Sequence, residues 1–149
     1  LTKQIELPGP TGERNFMFFA RRGKVVCFAD TSLDYARQII CALATGNEVV
    51  LPNTPESSKF AHALPRTGTY CANPVLAANL NAALIAQSYT QVSTLRKGLA
   101  HRTGCLVINV EEKSAGYYEL HLLTNERSVS INVTATGGNV QLMSLSDTV

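Results

Sequence analysis

A chain of 149 residues, 45% hydrophobic and 16% charged, has the composition of a soluble globular protein and the length of one domain, enough to bury about two-thirds of its unfolded surface. Thirteen basic residues against 11 acidic ones leave a net charge of +2, which gives no electrostatic footprint for nucleic acid or an anionic membrane. No apolar run approaches the roughly 20 residues of a membrane span, and the opening Leu1 to Leu7 lacks a signal peptide's basic and apolar regions; starting at Leu1, the chain reads as a fragment of a longer protein.

Residues 1–15 read as a linker, because two prolines and two glycines fall in the five positions from Pro8 to Gly12. Phe16 to Ala20 is a short apolar strand, and Arg21 to Gly23 a turn. Lys24 to Ala29 is a continuous apolar run of the kind buried in a parallel sheet. Asp30, Thr31 or Ser32 can cap the helix that follows. Its apolar positions Leu33, Ala36, Ile40 and Leu43 recur at helical spacing, and Gly46 stops it. Glu48 to Leu51 is the next strand. Strand, helix and strand within about 30 residues predict a βαβ unit with parallel strands.

Thr54-Pro55 opens a second, short and polar helix, ended by Pro65 to Gly68. Thr69 to Cys71 fits either strand or loop. Asn73-Pro74 predicts a helix through Asn81, and Ala82 to Ala86 a strand. Val92, Leu95 and Leu99 mark a helix face ending near Gly104. Cys105 to Val110 predicts a strand, Glu111 to Gly116 a polar turn, and Tyr117 to Leu123 a strand with Tyr118, Leu120 and Leu122 on one face. From Ser128 to Val133 polar and apolar residues alternate, as in a half-buried strand. Gly137-Gly138-Asn139 then turns the chain into a second apolar run, Val140 to Leu145. These last segments fit either a hairpin closing a sheet edge or an arm that docks elsewhere. The fold class is α/β, a mostly parallel sheet flanked by helices, with an antiparallel pairing of the last two strands left open.

The chemistry-bearing residues form no site motif. Neither GxGxxG nor GxxxxGK[ST] occurs, and the turn after Ala29 holds no glycine that would let backbone amides approach a phosphate. The cysteines at 27, 41, 71 and 105 have no paired spacing. Cys27, Cys41 and Cys105 sit in apolar runs as small hydrophobes, so neither disulfide nor zinc is indicated and a reducing cytosol fits. His62, His101 and His121 are scattered, with no nucleophile motif nearby, and Glu111-Glu112 reads as a solvated turn.

Four stretches together carry a signature: LPGPTGERN from Leu7 to Asn15, RGKVVC from Arg22 to Cys27, ALATGN from Ala42 to Asn47, and ERSVSINVTATGGNVQLM from Glu126 to Met143. They resemble the C-terminal region of the bacterial proline-utilisation flavoproteins, which join a proline dehydrogenase to a pyrroline-5-carboxylate (glutamate semialdehyde) dehydrogenase. The resemblance implies a Rossmann-like, degenerate aldehyde dehydrogenase domain over 16–125 and a C-terminal β-flap over 126–149. Where active aldehyde dehydrogenases carry a proline-tryptophan-asparagine turn, this chain has Phe28-Ala29-Asp30. Where they carry a ribose-holding lysine, it has Leu51-Pro52-Asn53. The catalytic cysteine and glutamate motifs are missing, and the surroundings of Cys71 do not match the nucleophile's.

The resemblance therefore implies a domain without catalysis, cofactor or metal of its own, inside a cytoplasmic enzyme, membrane-peripheral at most, that uses FAD and NAD. Its expected partners are the aldehyde dehydrogenase and proline dehydrogenase domains of the same polypeptide, against which it seals the cavity carrying pyrroline-5-carboxylate. The expected docking motif is Arg127, Ser128, Ser130, Asn132, Thr136, Gly137, Gly138, Asn139, Leu142 and Met143. NAD binding and homo-oligomerisation are the alternatives.

Overall fold

A computed structural model describes residues 3–64, 68–114 and 116–132. The described residues form two compact units, one within 21–125 and one that takes in 3–20 and 126–132.

The larger unit is an α/β layer structure. Strands β3 (Lys24–Phe28), β4 (Glu48–Pro52), β5 (Thr69–Cys71), β6 (Leu80–Ile85) and β7 (Ile108–Glu111) form one sheet in the order β5-β4-β3-β6-β7, every pairing parallel. The central strands are buried on both faces, which is why β3 and β6 read as near-continuous apolar runs. Alternation then divides the core. Val25 and Cys27 face one way with Ala82, Leu84, Tyr35, Ile39 and Leu123; Val26 and Phe28 face the other with Ala83, Ile85, Leu95 and Leu99. Helix α1 (Ser32–Ala44) covers the first face and α3 (Val92–Ala100) the second.

Thr31 caps α1 by accepting a hydrogen bond from the Asp34 amide at 3.2 Å, and Gly46, at a φ of 71°, follows the helix end. The buried stripe differs from the expected one. Asp34, Tyr35, Gln38, Ile39 and Ala42 face the sheet, while Leu33 and Ile40 are 60% and 65% exposed. The helix carries two apolar stripes, and polar anchoring selects between them. The Gln38 amide donates to the Phe28 carbonyl and to the Tyr118 hydroxyl, both at 3.0 Å, tying this stripe to the end of β3.

Three further expectations change. Helix α2 (Pro55–Ser58) has the predicted Thr54 cap and Pro55 start, with Ser57 completing a capping box. The helix expected from Asn73 to Asn81, however, is one 3-10 turn, Pro74–Leu76, followed by Asn79 at a φ of 58° and then β6. The Arg102 guanidinium donates to the carbonyls of Val75 and Ala77, leaving them unavailable to a longer helix. The strand predicted from Cys105 is confined to β7, because the pairing with β6 begins only at Ala82↔Ile108; Cys105 and Leu106 are exposed. Tyr117 to Leu123 is no strand either. It holds a bridge from Ser114 to Tyr117 and a 3-10 turn at Leu120–Leu123, burying Tyr118 and Leu123 while Leu120 stays exposed. The hydrogen bond to Gln38 holds Tyr118 inward and overrides the alternation.

In the smaller unit, β1 (Ile5–Leu7) pairs antiparallel with β2 (Glu13–Arg21), and β2 also pairs with β8 (Thr124–Asn132). The expected linker is therefore part of a hairpin. Its Pro-Gly-rich run makes the turn, where the Glu13 amide donates to the Pro10 carbonyl at 3.1 Å and Gly12 adopts a φ of 90°.

Candidate functional site

Two of the signature stretches meet at the amino ends of β3 and β4. The Gly23 amide donates to Asn47 Oδ1 at 2.8 Å, and the Asn47 side-chain amide donates to Thr45 Oγ1 and to the Leu123 carbonyl, both at 2.9 Å. Asn47 is only 3% exposed. Arg22 adds a main-chain bond to the Leu123 carbonyl at 3.3 Å and a guanidinium bond to the Thr124 carbonyl at 3.0 Å. The RGKVVC and ALATGN stretches thus clamp the chain where β8 begins. Thr45 shapes this clamp by turning its hydroxyl back onto the carbonyls of Cys41 and Ala42.

Beyond that root, Glu126 to Asn132 are all exposed, including Arg127, Ser128 and Ser130. Val129 and Ile131, expected on a half-buried face, are 41% and 46% exposed. Four of the ten predicted docking residues (Arg127, Ser128, Ser130 and Asn132) thus share one rooted strand. Thr136, Gly137, Gly138, Asn139, Leu142 and Met143, like the Val140 to Leu145 run, lie outside the described residues.

The second feature is a crevice of about 560 Å³ at the carboxyl ends of the parallel strands. The strand order reverses between β3 and β6, and open α/β sheets take their ligands at such switch points. Phe28, Ala29, Asp30 and Pro52 line it, so both departures from the pattern of active aldehyde dehydrogenases stand on its walls. Tyr35 and Thr54 add to the polar and aromatic lining, as do Asn73, Tyr89, Gln91 and Thr94, which sequence reasoning misses because they lie on loops and at a helix start without periodic signal. Asp30 accepts a hydrogen bond from the Thr90 amide at 2.8 Å, just before α3. At the start of α1, burial alone would raise the Asp34 carboxyl, but hydrogen bonds from Ser88, Thr31 and Arg37 and the Arg37 charge hold it below its ordinary range.

The scattered thiols and imidazoles stay scattered. Burial pushes the Cys27 thiol far up and raises that of Cys41, which disfavours the nucleophilic thiolate in both, while Cys71 packs against the second core cluster. His101 donates from Nδ1 to the Lys97 carbonyl at 2.7 Å. Among the described residues no cluster of His, Cys, Asp or Glu could hold a metal ion. The Glu111-Glu112 pair is not simply solvated: Glu112 accepts from the amides of Gln87 and Gly116, and Glu111 pairs with Arg96.

Solved aldehyde dehydrogenases share the fold of this parallel sheet and its helices. A solved NAD-dependent benzaldehyde dehydrogenase from Corynebacterium glutamicum superposes with a TM-score of 0.54 at 20% identity, covering 73% of this chain and 28% of that one. Bradyrhizobium japonicum Proline Utilization A (PutA), solved as a mutant, gives 0.58 at 19% identity, over 74% of this chain and 13% of its own. Sequence narrows the class: the bifunctional protein PutA of Escherichia coli is 34% identical over 146 residues, 93% of this chain, and that of Rhizobium meliloti 30% over 152 residues, 95% of this chain. The chain is thus related along nearly its whole length to PutA proteins, and spans about a tenth of their length (11% and 12%). No protein-family model matches it.

Proposed function

We propose that this chain is the non-catalytic, aldehyde-dehydrogenase-like accessory segment of a PutA-type enzyme that oxidises proline to glutamate through pyrroline-5-carboxylate. Its task is to brace the aldehyde dehydrogenase domain and close the cavity through which the intermediate passes. FAD and NAD belong to the other domains of that cytoplasmic polypeptide, which are its partners. The observation that carries the reading is β8: a strand rooted by Asn47 and Arg22, with Val129 and Ile131 exposed beyond the root. A strand that ends its sheet among the described residues and exposes apolar side chains can add to a neighbouring sheet, and a lid of this kind keeps water from a reaction space.

The test is made in the full-length enzyme, by removing residues from Thr134 onward and, separately, by the pair Val129→Glu and Ile131→Glu. Either change is expected to introduce a lag in NADH formation from proline and to release pyrroline-5-carboxylate to a trapping reagent, with proline oxidation itself unchanged. Coupled turnover without lag or leakage in both variants would refute the lid. The same strand could instead join two copies of the chain; sedimentation of the chain with and without 126–149 separates these readings. NAD binding is disfavoured by the absence of a glycine-rich loop and by Pro52 and Asn53 at the end of β4.

A further inference from the structure

The lid reading leaves the crevice at the switch point without a task, and the chemistry of its walls is independent of that reading. Those walls are mainly apolar, supplied by Phe28, Pro52, Val75 and Leu95 among others, and Asp30 is the one charged side chain among the described residues lining the space. The Phe28 and Tyr89 rings lie 5.6 Å apart, tilted by 43°, on one side of it. The volume of about 560 Å³ falls within the range of small-molecule sites.

Its electrostatics are opposite to those of a phosphate site. Helix starts attract anions through their unpaired amides and the helix dipole. Here the chain supplies its own anions at both long helices bordering this end of the sheet. Asp34 sits in the first turn of α1, and the Asp30 carboxylate takes the Thr90 amide ahead of α3. An incoming phosphate or carboxylate would meet Asp30 at the crevice wall. An uncharged ring would meet apolar walls and two side-chain amides, Asn73 and Gln91, able to hydrogen-bond its polar edge.

We propose that this crevice binds an uncharged planar aromatic molecule carrying a polar edge, and that Asp30 excludes anions from it. The probes are 2-naphthamide and its anionic isostere 2-naphthoate, titrated into the isotopically labelled chain with backbone amide shifts as readout. Naphthamide is expected to shift the amides of Asn73, Tyr89, Thr90 and Gln91 and to bind at least tenfold more tightly than naphthoate. Asp30→Asn keeps an oxygen for the Thr90 amide but removes the charge, and should narrow that ratio to about threefold or less. Thr94→Trp, a change at an exposed wall position, should weaken naphthamide at least tenfold even if the Asp30 variant fails to fold. Equal binding of the two probes, no binding up to their solubility limits, shifts mapping elsewhere, or a ratio unchanged in folded Asp30→Asn would each overturn the proposal.

Discussion

Replacing Asn47 by alanine tests whether the signature stretches matter through the clamp they build. The change removes an acceptor from the Gly23 amide and donors from Thr45 Oγ1 and the Leu123 carbonyl, at a residue only 3% exposed. The Leu123 carbonyl keeps the Arg22 amide, so its loss is partial, whereas the Gly23 amide loses its side-chain partner outright. An orphaned buried polar group costs about 1–3 kcal/mol, so the sum is about 2–5 kcal/mol. Against a total of roughly 5–15 kcal/mol this is a large fraction, and it should lower Tm by roughly 5–15 °C. Urea unfolding followed by circular dichroism gives the free energy, and hydrogen exchange gives its location. The amides of β8 should lose protection beyond the global loss seen in β3 and β6. A cost below about 1 kcal/mol, or protection falling equally everywhere, would refute the clamp.

Three other changes probe the frame around it. Leu84→Ala, at a fully buried position of β6, should cost about 2–5 kcal/mol in urea melts. Gly23→Ala should cost about 2–4 kcal/mol, since Gly23 holds a φ of 134° and a Cβ there would overlap Asn81 Oδ1, which accepts the Lys24 amide; a variant as stable as the parent would show that the turn relaxes freely. Asp34 has a folded pKa below its ordinary 3.8, so its contribution is present above about pH 4 and is lost as pH falls through the lower, folded value. Urea midpoints measured from about pH 5 down to about pH 2.5 should therefore fall less steeply in Asp34→Asn than in the parent.

The sequence is most legible where the physics is local. The β3-α1-β4 unit shows itself through two apolar runs, a capping threonine and a stopping glycine, and the Thr54-Pro55 start through its cap. It misleads where distant side chains decide. Nothing near Asn73 signals that Arg102 will take the carbonyls of Val75 and Ala77. Nothing within α1 says that Gln38, rather than Leu33 or Ile40, faces inward, because its partners are Phe28 and Tyr118. The clamp is half visible: Gly23 and Asn47 stand in the signature stretches, but their meeting with Leu123 is purely tertiary, spanning 76 residues from Asn47. Phe28 and Pro52 stand out in the sequence only as departures from the pattern of active aldehyde dehydrogenases, without the geometry that makes them crevice walls.

The bond from the Arg22 amide to the Leu123 carbonyl also means that the larger unit begins and ends at one place. Residues 21–125 thus have adjacent ends, the property that lets a compact unit be moved as a module. Such a module is portable. Residues 21–125 could be grafted into an exposed turn of an unrelated protein, or have their adjacent ends joined and new ones opened at a surface loop, with the five-stranded sheet intact.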